Sequence, residues 1–488
     1  MRPVRAKATR HVLACRAWAG LLTMVLLAGA EAEAAAKPAG AKSALTSRTA
    51  FDLGVEAYVF GYPLVAMDLT RRLMCNVQEP AGLRAPMGQF ARVRAFPPAS
   101  NRDVTFPNAD TLYAGVWLDV AREPWVLELP LAKERYTQFA MLDGWNTVFG
   151  VCGARTTGDG GQKYLLTGPE WKGKLPAGMK AYRSPTSIVW VLGRIHCTGT
   201  PEDYRTVYAL QDQCRAVPLS SHGQPYTPPL GQIDPRLDVL KTVNEQISLL
   251  SVGAYFNQLA LLMKENPPTR GDVPMIKKMA RLGIVPGQAF DLGSLGPDVA
   301  QALQHVPQSA LAQIMGWFKE GARSGDWVSQ DGWTWTLKTG AYGTDYTQRA
   351  LVAATGLGAN GPEDMVQATS TVDGAGQPYS GNFRYTMHFA PGQAPSANGF
   401  WSLTLYDSEG FLVSNPLGRH TLSSRDSFSF NPDNSLDFYI QKHPPGADRE
   451  ANWLPAPEGR FMLMLRFYWP KESLLKRAWK IPPVKRAD

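Results

Sequence analysis

Residues 106–119 read FPNADTLYAGVWLD, in which a polar turn beside a proline opens directly into alternating apolar and polar residues. This alternation predicts a β-strand that buries one face in a core. The buried face is predicted to carry Leu112, Ala114, Val116 and Leu118. The opposite face is predicted to carry Thr111, Tyr113, Trp117 and Asp119. Because the strand is anchored through its apolar side, the polar side and its turn can present several hydrogen-bonding groups to a ligand.

The composition of the whole chain also favours β structure. The 488 residues include 45 glycines and 38 prolines, and only 19% of them are charged. High glycine and proline with few charged residues is typical of a β-rich protein with many turns. A chain of this length predicts two or three domains, each large enough for its own core.

The first 34 residues predict a signal peptide. A basic start from Arg2 to Arg10 precedes the apolar stretch Ala17–Ala30, and small residues offer a cleavage site near Ala32–Ala36. An apolar run this short does not anchor a protein in a bilayer. We therefore predict a periplasmic or secreted protein without a stable membrane anchor, in which residues 35–46 form a disordered leader.

The charge of the chain argues against nucleic acid as a partner. The formal net charge is +8, and residues 1–34 carry five Arg or Lys and two Glu, which leaves +5 beyond them. That charge is spread over some 450 residues without a basic cluster interleaved with aromatic residues. A nucleic-acid-binding surface requires such a concentration of positive charge.

Short strands between Gly and Pro turns follow a first helix, which is predicted over Arg48–Leu73. The clearest of these strands are Glu134–Leu142, Tyr164–Thr167 and Ser187–Ile195. Thr200-Pro201-Glu202-Asp203 then predicts the start of a helix, because it offers a hydroxyl cap followed by proline at the first helical position.

Helical periodicity replaces the strands over residues 235–325. The pattern predicts one helix from Pro235 to Met263, a second from Asp272 to Gly283 and a third from Pro297 to Gly321. Strands return from about residue 370. The clearest are Asn382–Phe389, Gly399–Asp407, Asp437–Gln441 and Arg460–Trp469. The last of these is predicted to point Phe461, Leu463, Leu465, Phe467 and Trp469 inward.

These patterns predict a mainly β fold with helical segments, in which two β-sandwich or jelly-roll-like domains are joined by a helical connector. No internal repeat and no low-complexity tract follows residue 45. The predicted boundaries are 1–34 for the signal peptide, 35–46 for the leader, 47–215 for the N-terminal β-rich domain, 216–330 for the connector and 331–488 for the C-terminal sandwich.

Four cysteines follow the signal segment, namely Cys75, Cys152, Cys197 and Cys214. In an oxidising compartment they permit two disulfides in any of three pairings, and buried free thiols are the alternative. No zinc-binding helix, nucleophile elbow or phosphate loop has its full spacing, so we predict neither a metal nor a cofactor.

The chain resembles a pair of family domains of unknown function, DUF1254 followed by DUF1214, from about residue 50 to residue 482. The motifs that carry the resemblance are Pro107-Asn108-Ala109-Asp110-Thr111-Leu112-Tyr113, Leu142-Asp143-Gly144-Trp145-Asn146, Tyr342-Gly343-Thr344-Asp345-Tyr346 with Arg349, Gly399-Phe400-Trp401-Ser402-Leu403-Thr404-Leu405-Tyr406-Asp407 and Leu465-Arg466-Phe467-Tyr468-Trp469-Pro470. The resemblance implies an exported bacterial protein with two domains and β-sandwich or jelly-roll parts. It implies no established reaction.

The candidate site residues are polar, and all come from the N-terminal β-rich domain. Asp110, Tyr113 and Asp143 are the candidate catalytic residues, with a desolvated Asp110 as general acid or base and Asp143 as its partner. The candidate ligand-binding residues are Asn108, Arg135, Trp145, Asn146, Arg155 and Arg194. Guanidinium, carboxylate and phenol groups bind anionic or polyhydroxylated ligands through paired hydrogen bonds. Turn formation and cross-strand ion pairs are the alternative explanation for the same residues.

The sequence is also compatible with a serine-type catalytic triad, because such triads are recognised by geometry rather than by spacing along the chain. His196, His388 and His420 are its candidate bases. The order of residues along the chain selects none of the three.

The sequence favours an enzyme or envelope factor that acts on a small polar or saccharide-like ligand near Asn108–Tyr113. Hydrolase or lyase chemistry suits these residues, although they define no reaction class. The alternative is a non-catalytic envelope module that binds glycans or proteins. A homo-oligomer is compatible with the chain, and no interface signal specifies its stoichiometry.

Overall fold

The computed structural model describes residues 45–102, 105–158 and 161–487, and these residues form one compact unit. The predicted signal peptide and most of the predicted leader lie outside the described residues. The strands are β1 Ala91–Arg92, β2 Thr111–Asp119, β3 Trp125–Leu129, β4 Thr137–Asp143, β5 Val148–Gly153, β6 Gln162–Thr167, β7 Lys180–Arg183, β8 Ile188–His196, β9 Arg215–Pro218, β10 Trp327–Gln330, β11 Trp333–Thr336, β12 Met365–Ser370, β13 Arg384–Phe389, β14 Ala397–Asp407, β15 Thr421–Ser423, β16 Leu436–Gln441, β17 Trp453–Pro455, β18 Phe461–Pro470 and β19 Val484–Ala487. The helices are α1 Ser47–Met74, α2 Pro201–Gln213, α3 Val243–Ser248, α4 Val252–Glu265, α5 Val273–Ala280, α6 Pro297–Leu303, α7 Val306–Ser324, α8 Tyr346–Thr355 and α9 Glu472–Leu475.

The first sandwich is built from two sheets whose apolar faces meet. One sheet has the order β1-β2-β8-β4-β5, and the other has the order β7-β6-β3-β9. The predicted strand of the opening stretch is β2, and its residues Leu112, Ala114, Val116 and Leu118 have no exposed surface. They pack with Leu127 and Leu166 of the second sheet, so the predicted apolar face is confirmed.

The second sandwich has the same construction. Its larger sheet has the order β10-β11-β12-β18-β14-β15, and its smaller sheet has the order β17-β16-β13-β19. Apolar residues of β14 and β18 pack against those of β13 and β16 in one core. All strand pairs of both sandwiches are antiparallel except β6–β7 and β16–β17. The predicted class of sheet-rich sandwiches with helical segments is therefore confirmed for the described residues.

Strand β18 departs from the predicted alternation on one side. Phe461, Leu463, Leu465 and Phe467 enter the sandwich core as predicted. Met464, Arg466 and Tyr468 of the opposite face are buried as well, because the first sandwich covers them. Trp469 was predicted to point inward, and this is wrong. Its φ of 50° turns the strand, and its ring packs with Tyr136, Phe400 and Tyr468 on the far side of the sheet.

The helices pack around α1, which carries one continuous buried surface. Residues of α4, α6, α7 and α8 contact it in a single apolar cluster. Near its end, Met67 of α1 also covers the apolar half of the β2–β8 face, where Trp117 and Trp190 stack at 4.8 Å. The helices predicted as a connector thus join α1 in one layer against the first sandwich.

The first predicted helix and the helix after Thr200 are confirmed as α1 and α2, but two other predictions need correction. The single helix predicted from Pro235 to Met263 is divided into α3 and α4, because Thr242 and Ser251 each form an N-terminal cap. The helix predicted from Pro297 to Gly321 is divided into α6 and α7 for a similar reason, since Pro307 sits in the first turn of α7.

All four cysteines within the described residues are free thiols. Burial raises the pKa of Cys152 to about 11, and that of Cys75, Cys197 and Cys214 to about 12. We expect these thiols to react with a disulfide reagent at pH 8 only slowly while the protein is folded, because the thiolate is the reactive form. They should all react once guanidinium unfolds the chain. A melting temperature that falls on addition of a reductant would contradict this prediction.

Candidate functional site

The polar turn before β2 is held by the side chain of Asn108. Its Oδ1 accepts hydrogen bonds from the backbone N–H of Asp110 at 2.7 Å and of Thr111 at 3.0 Å. This is the local capping expected of asparagine in a turn. Phe106 opens the turn with a φ of 52°, and its ring packs edge-on against Tyr406 of β14. The contacts with the second sandwich therefore stabilise a backbone conformation that is costly for a bulky residue.

Asp110 lies at the junction of the two sandwiches. Its Oδ2 accepts a hydrogen bond from Ser402 Oγ at 2.6 Å and another from the Tyr468 hydroxyl at 3.0 Å. Tyr468 also accepts a hydrogen bond from Asn108 Nδ2 at 3.0 Å. Ser402 and Tyr468 come from β14 and β18, so the polar turn of the first sandwich is bonded to the central strands of the second. We call Asn108, Asp110, Ser402, Arg466 and Tyr468 the junction cluster.

Arg466 supplies the positive charge of the junction cluster. Its Nη2 donates to the Tyr406 hydroxyl at 2.8 Å and to the Phe106 carbonyl at 3.3 Å, and its Nη1 donates to Thr404 Oγ1 at 3.2 Å. Only 3% of Arg466 is exposed. A buried guanidinium and a buried carboxylate therefore interact across a region from which water is excluded, where electrostatic interactions are strong.

Burial shifts the titration of two groups at this junction. It raises the pKa of Asp110, although Arg466, Ser402 and Tyr468 oppose the shift. It lowers the pKa of His196 to about 3, and the nearby Arg425 and Arg135 act in the same direction. His196 is therefore a neutral imidazole at physiological pH. Perturbed acids and bases of this kind concentrate at functional sites.

Two buried polar atoms beside Asp110 have no hydrogen-bond partner among the described residues. They are Thr111 Oγ1 and His196 Nδ1. Thr111 and His196 are directly paired across β2 and β8, so their side chains lie on the same face of the sheet, which faces Phe400 of β14. Buried polar groups are nearly always hydrogen-bonded, so an unpaired set marks a place where a ligand or water can bind.

The other predicted residues of this face are held by structural contacts. Tyr113 is half-buried and lies under the guanidinium of Arg194 at 5.5 Å. Arg194 donates to Asn360 Oδ1 at 2.8 Å and to the Gly358 carbonyl at 2.9 Å. These contacts fix the segment that leads from the helices into the second sandwich.

Arg155 and Arg135 are likewise engaged in ion pairs. Arg155 forms a two-point ion pair with Asp364 at 2.7 and 2.8 Å. Arg135 pairs with Asp203 of α2 and donates to the His196 carbonyl at 2.6 Å. Both cations therefore hold secondary structure elements together.

Asp143, Trp145 and Asn146 do not join Asp110, which corrects the predicted pairing of the two carboxylates. Thr111 pairs with His196 at one end of β8, and Asp143 pairs with Val189 seven residues away. At about 3.3 Å per residue, the two ends are roughly 23 Å apart. Asp143 therefore cannot act on the same reacting atom as Asp110. It caps its own hairpin instead, accepting from the backbone N–H of Trp145 and Thr147.

Sequence reasoning missed Ser402, Arg466 and Tyr468, which complete the junction cluster. All three lie on strand faces that alternate with strongly apolar residues, and such faces are ordinarily exposed. A signal was present, since Ser402, Arg466 and Tyr468 stand inside two of the motifs that carry the family resemblance. An arginine and a tyrosine at alternate positions of so apolar a strand indicate a covered polar face.

Among the described residues, no three His, Cys, Asp or Glu side chains lie close enough together to hold a metal ion. Within the same residues, no helix has the length and apolar character needed to cross a membrane.

The fold and the junction cluster define a protein of two β-sandwiches that share one buried polar interface. Residues 87–218 match the family model described as "Protein of unknown function (DUF1254)". Residues 364–472 match "Protein of unknown function (DUF1214)". The chain therefore has the two-domain DUF1254/DUF1214 architecture. The junction cluster takes Asn108 and Asp110 from the first matched region and its other members from the second.

The solved structures that are similar to this chain include two crystal structures. The crystal structure of the VPA0106 protein from Vibrio parahaemolyticus matches with a TM-score of 0.67 and 21% identity, over 90% of this chain and all of that one. A putative uncharacterized protein from Burkholderia cenocepacia matches with a TM-score of 0.41 and 13% identity, over 91% of this chain and 95% of that one. The first likeness shows a shared fold. No functionally curated protein matches the chain.

Proposed function

We propose that the protein is an exported enzyme that binds a small polar or saccharide-like ligand at the junction cluster, with Asp110 as its acid or base. One observation carries the proposal. A buried carboxyl group with a raised pKa lies beside two buried polar atoms, Thr111 Oγ1 and His196 Nδ1, that have no partner. A hydroxyl group of a ligand can donate to or accept from both atoms.

The chemistry follows from the groups around Asp110. Burial raises the pKa of Asp110, so its carboxyl group keeps a proton to higher pH and can act as a general acid or, once ionised, as a general base. Ser402 and Tyr468 hold the carboxyl in one orientation, and Arg466 places a positive charge where a developing anion would be stabilised. These roles suit the hydrolysis or elimination of a polar substrate.

Thr111→Val is the sharpest test, because it removes an unpartnered hydroxyl and leaves the strand intact. The purified full chain is first assayed against ester, glycoside and amide substrates, and against mono- and disaccharides by calorimetry. We expect Thr111→Val to weaken binding about five- to tenfold, since a hydrogen bond is worth about 1–1.5 kcal/mol, while the melting temperature does not fall. Asp110→Asn should abolish turnover.

Thr167→Val is the matched control, because Thr167 is a buried threonine of β6 in the other sheet of the same sandwich. It should leave binding and turnover unchanged. Ligand binding without turnover of any substrate class would identify a non-catalytic binding module instead. A ligand whose affinity does not respond to Thr111→Val would show that the junction cluster is structural.

A further inference from the structure

A second set of unpartnered buried groups lies at the opposite end of β8 from Asp110, where α8, α1 and the hairpin between β4 and β5 meet. Its centre is Arg349 of α8, of which 3% is exposed. The guanidinium carbon lies 5.0 Å from the ring centre of Trp145, 5.3 Å from that of Tyr346 and 5.4 Å from that of Phe60. We call Arg349, these three rings and the neighbouring Asp272 and Tyr342 the arginine cage.

Arg349 makes no hydrogen bond through two of its nitrogens. Nε and Nη2 are both buried and both without a partner. These two nitrogens form one edge of the guanidinium plane, and that edge can bind the two oxygens of a carboxylate side by side. The rings hold the plane of the guanidinium, so the open edge has a fixed orientation.

Two further unpartnered atoms belong to residues that interact electrostatically with Arg349. Asp272 is 1% exposed, and its Oδ1 has no partner, whereas its Oδ2 caps the turn by accepting from Thr269. The hydroxyl of Tyr342 is also buried and without a partner. Tyr346 interacts with Asp272, and the Gly340 backbone interacts with Tyr342. Among the described residues, the cage nevertheless has donors without an acceptor on Arg349 and Tyr342 and an acceptor without a donor on Asp272.

If no ligand binds, these buried groups lack hydrogen-bond partners, and the folded protein is destabilised. A buried charge that is not hydrogen-bonded is strongly unfavourable, and Arg349 has no ion pair within 4 Å among the described residues. Asp272 and Asp143 interact electrostatically with Arg349, but the hydrogen bonds that each accepts come from its own turn. These groups are therefore arranged as a preorganised binding site for a ligand.

We propose that the arginine cage binds a small carboxylate that carries a hydrogen-bond donor on the neighbouring carbon, such as a hydroxy acid or an amino acid. The carboxylate would accept from Nε and Nη2 of Arg349 and from the Tyr342 hydroxyl. The hydroxyl or ammonium group would donate to Oδ1 of Asp272. Each of the four unpartnered atoms would then be satisfied by one molecule.

The cage is independent of the junction cluster, since it lies at the other end of the sheet and shares no residue with it. Two of its parts come from motifs that are far apart in the chain, Leu142–Asn146 and Tyr342–Tyr346 with Arg349. The first motif supplies Trp145, and the second supplies Tyr342, Tyr346 and Arg349. Sequence reasoning placed Trp145 with Asp110, because nothing along the chain shows which motifs meet.

Calorimetry with four probes tests the proposal on the full chain. Glycolate and glycine carry both the carboxylate and the donor, propionate lacks the donor, and ethylene glycol lacks the carboxylate. We expect glycolate or glycine to bind at least about tenfold more tightly than propionate, because Asp272 would otherwise stay unpaired. Ethylene glycol should not bind. If glycolate binds more tightly than glycine, the ligand class is hydroxy acids. If glycine binds more tightly, the class is amino acids.

Tyr342→Phe separates a binding role from a structural one. It removes a hydroxyl that has no partner in the free protein, so the melting temperature should stay the same or rise while affinity falls about tenfold. Tyr255→Phe is the matched control, because the buried Tyr255 hydroxyl donates to the Tyr58 carbonyl at 2.8 Å. That variant should lose stability and keep its affinity.

Arg349→Lys should lower the affinity for the preferred probe by more than tenfold, since a lysine cannot offer two parallel donors. If calorimetry detects no binding of any of the four probes, the cage holds only water and the proposal is overturned. Binding that is unchanged in both Arg349→Lys and Tyr342→Phe would place the site elsewhere. Thr111→Val should leave the affinity for these probes unchanged, which distinguishes this site from the junction cluster.

Discussion

Arg466→Met is expected to lower the free energy of unfolding by about 3–5 kcal/mol, the usual cost of removing one partner of a buried charge pair. The methionine would remove the positive charge that opposes the raised pKa of the buried Asp110 carboxyl. It would also remove the hydrogen bonds that Arg466 donates to the Tyr406 hydroxyl, the Phe106 carbonyl and Thr404 Oγ1. Urea unfolding at pH 7 measures the loss.

Arg460→Met is the control for this substitution, because Arg460 is exposed immediately before β18. Exposed substitutions of this kind usually change stability by less than about 0.5 kcal/mol. The double variant Arg466→Met with Asp110→Asn removes both charges, so it should recover part of the loss. A cost below about 1 kcal/mol for Arg466→Met alone would show that the two sandwiches do not depend on this cation.

Asp143→Asn is expected to stabilise the protein at pH 7 by about 2–3 kcal/mol. Burial raises the pKa of Asp143 from 3.8 to about 6. The folded chain therefore holds this proton more tightly than the unfolded chain. The contribution of the carboxyl to stability is full below about pH 4 and is lost as the pH rises to about 6. Asparagine keeps the acceptor for Trp145 and Thr147 without this loss.

Unfolding in urea at pH 4, 5, 6 and 7 tests the prediction. The difference in unfolding free energy between Asp143→Asn and the parent chain should grow from pH 4 to pH 6 and then stay constant. Asp119→Asn, at the exposed end of β2, is the control, because it replaces an aspartate that is not buried. If the unfolding free energies of Asp143→Asn and the parent chain change with pH in parallel, the charge of Arg349 fully offsets the cost of burying ionised Asp143.

Much of the local structure could be predicted from the sequence. The apolar residues of β2 and β18 repeat with the period of a strand, and each is long enough for the pattern to be decisive. The cap at Thr200 placed the start of α2 correctly, because the capping residue and the proline act within one turn. Such features depend on neighbours along the chain.

The candidate site depends on neighbours in space, and there the sequence was insufficient. The polar face of β18 is covered by the turn before β2, which no pattern within β18 can reveal. Arg349 stands among apolar residues of α8, and its burial depends on rings from α1 and from the hairpin after β4. Asp143 was assigned to Asp110 because both flank strands, although the strands place them at opposite ends.

The two hydrogen bonds of Asp110 have a consequence for the order of assembly. They connect residues that are 292 and 358 positions apart in the chain. Closing loops of this length carries a large entropic cost and slows folding, so these bonds form after the local strands and helices. Until β18 has been synthesised, the carboxyl group of Asp110 cannot bond to Tyr468 and stays hydrated. We therefore expect the hydrogen bonds between the two sandwiches to form late in folding, and a chain that ends before Phe461 cannot form the bond to Tyr468.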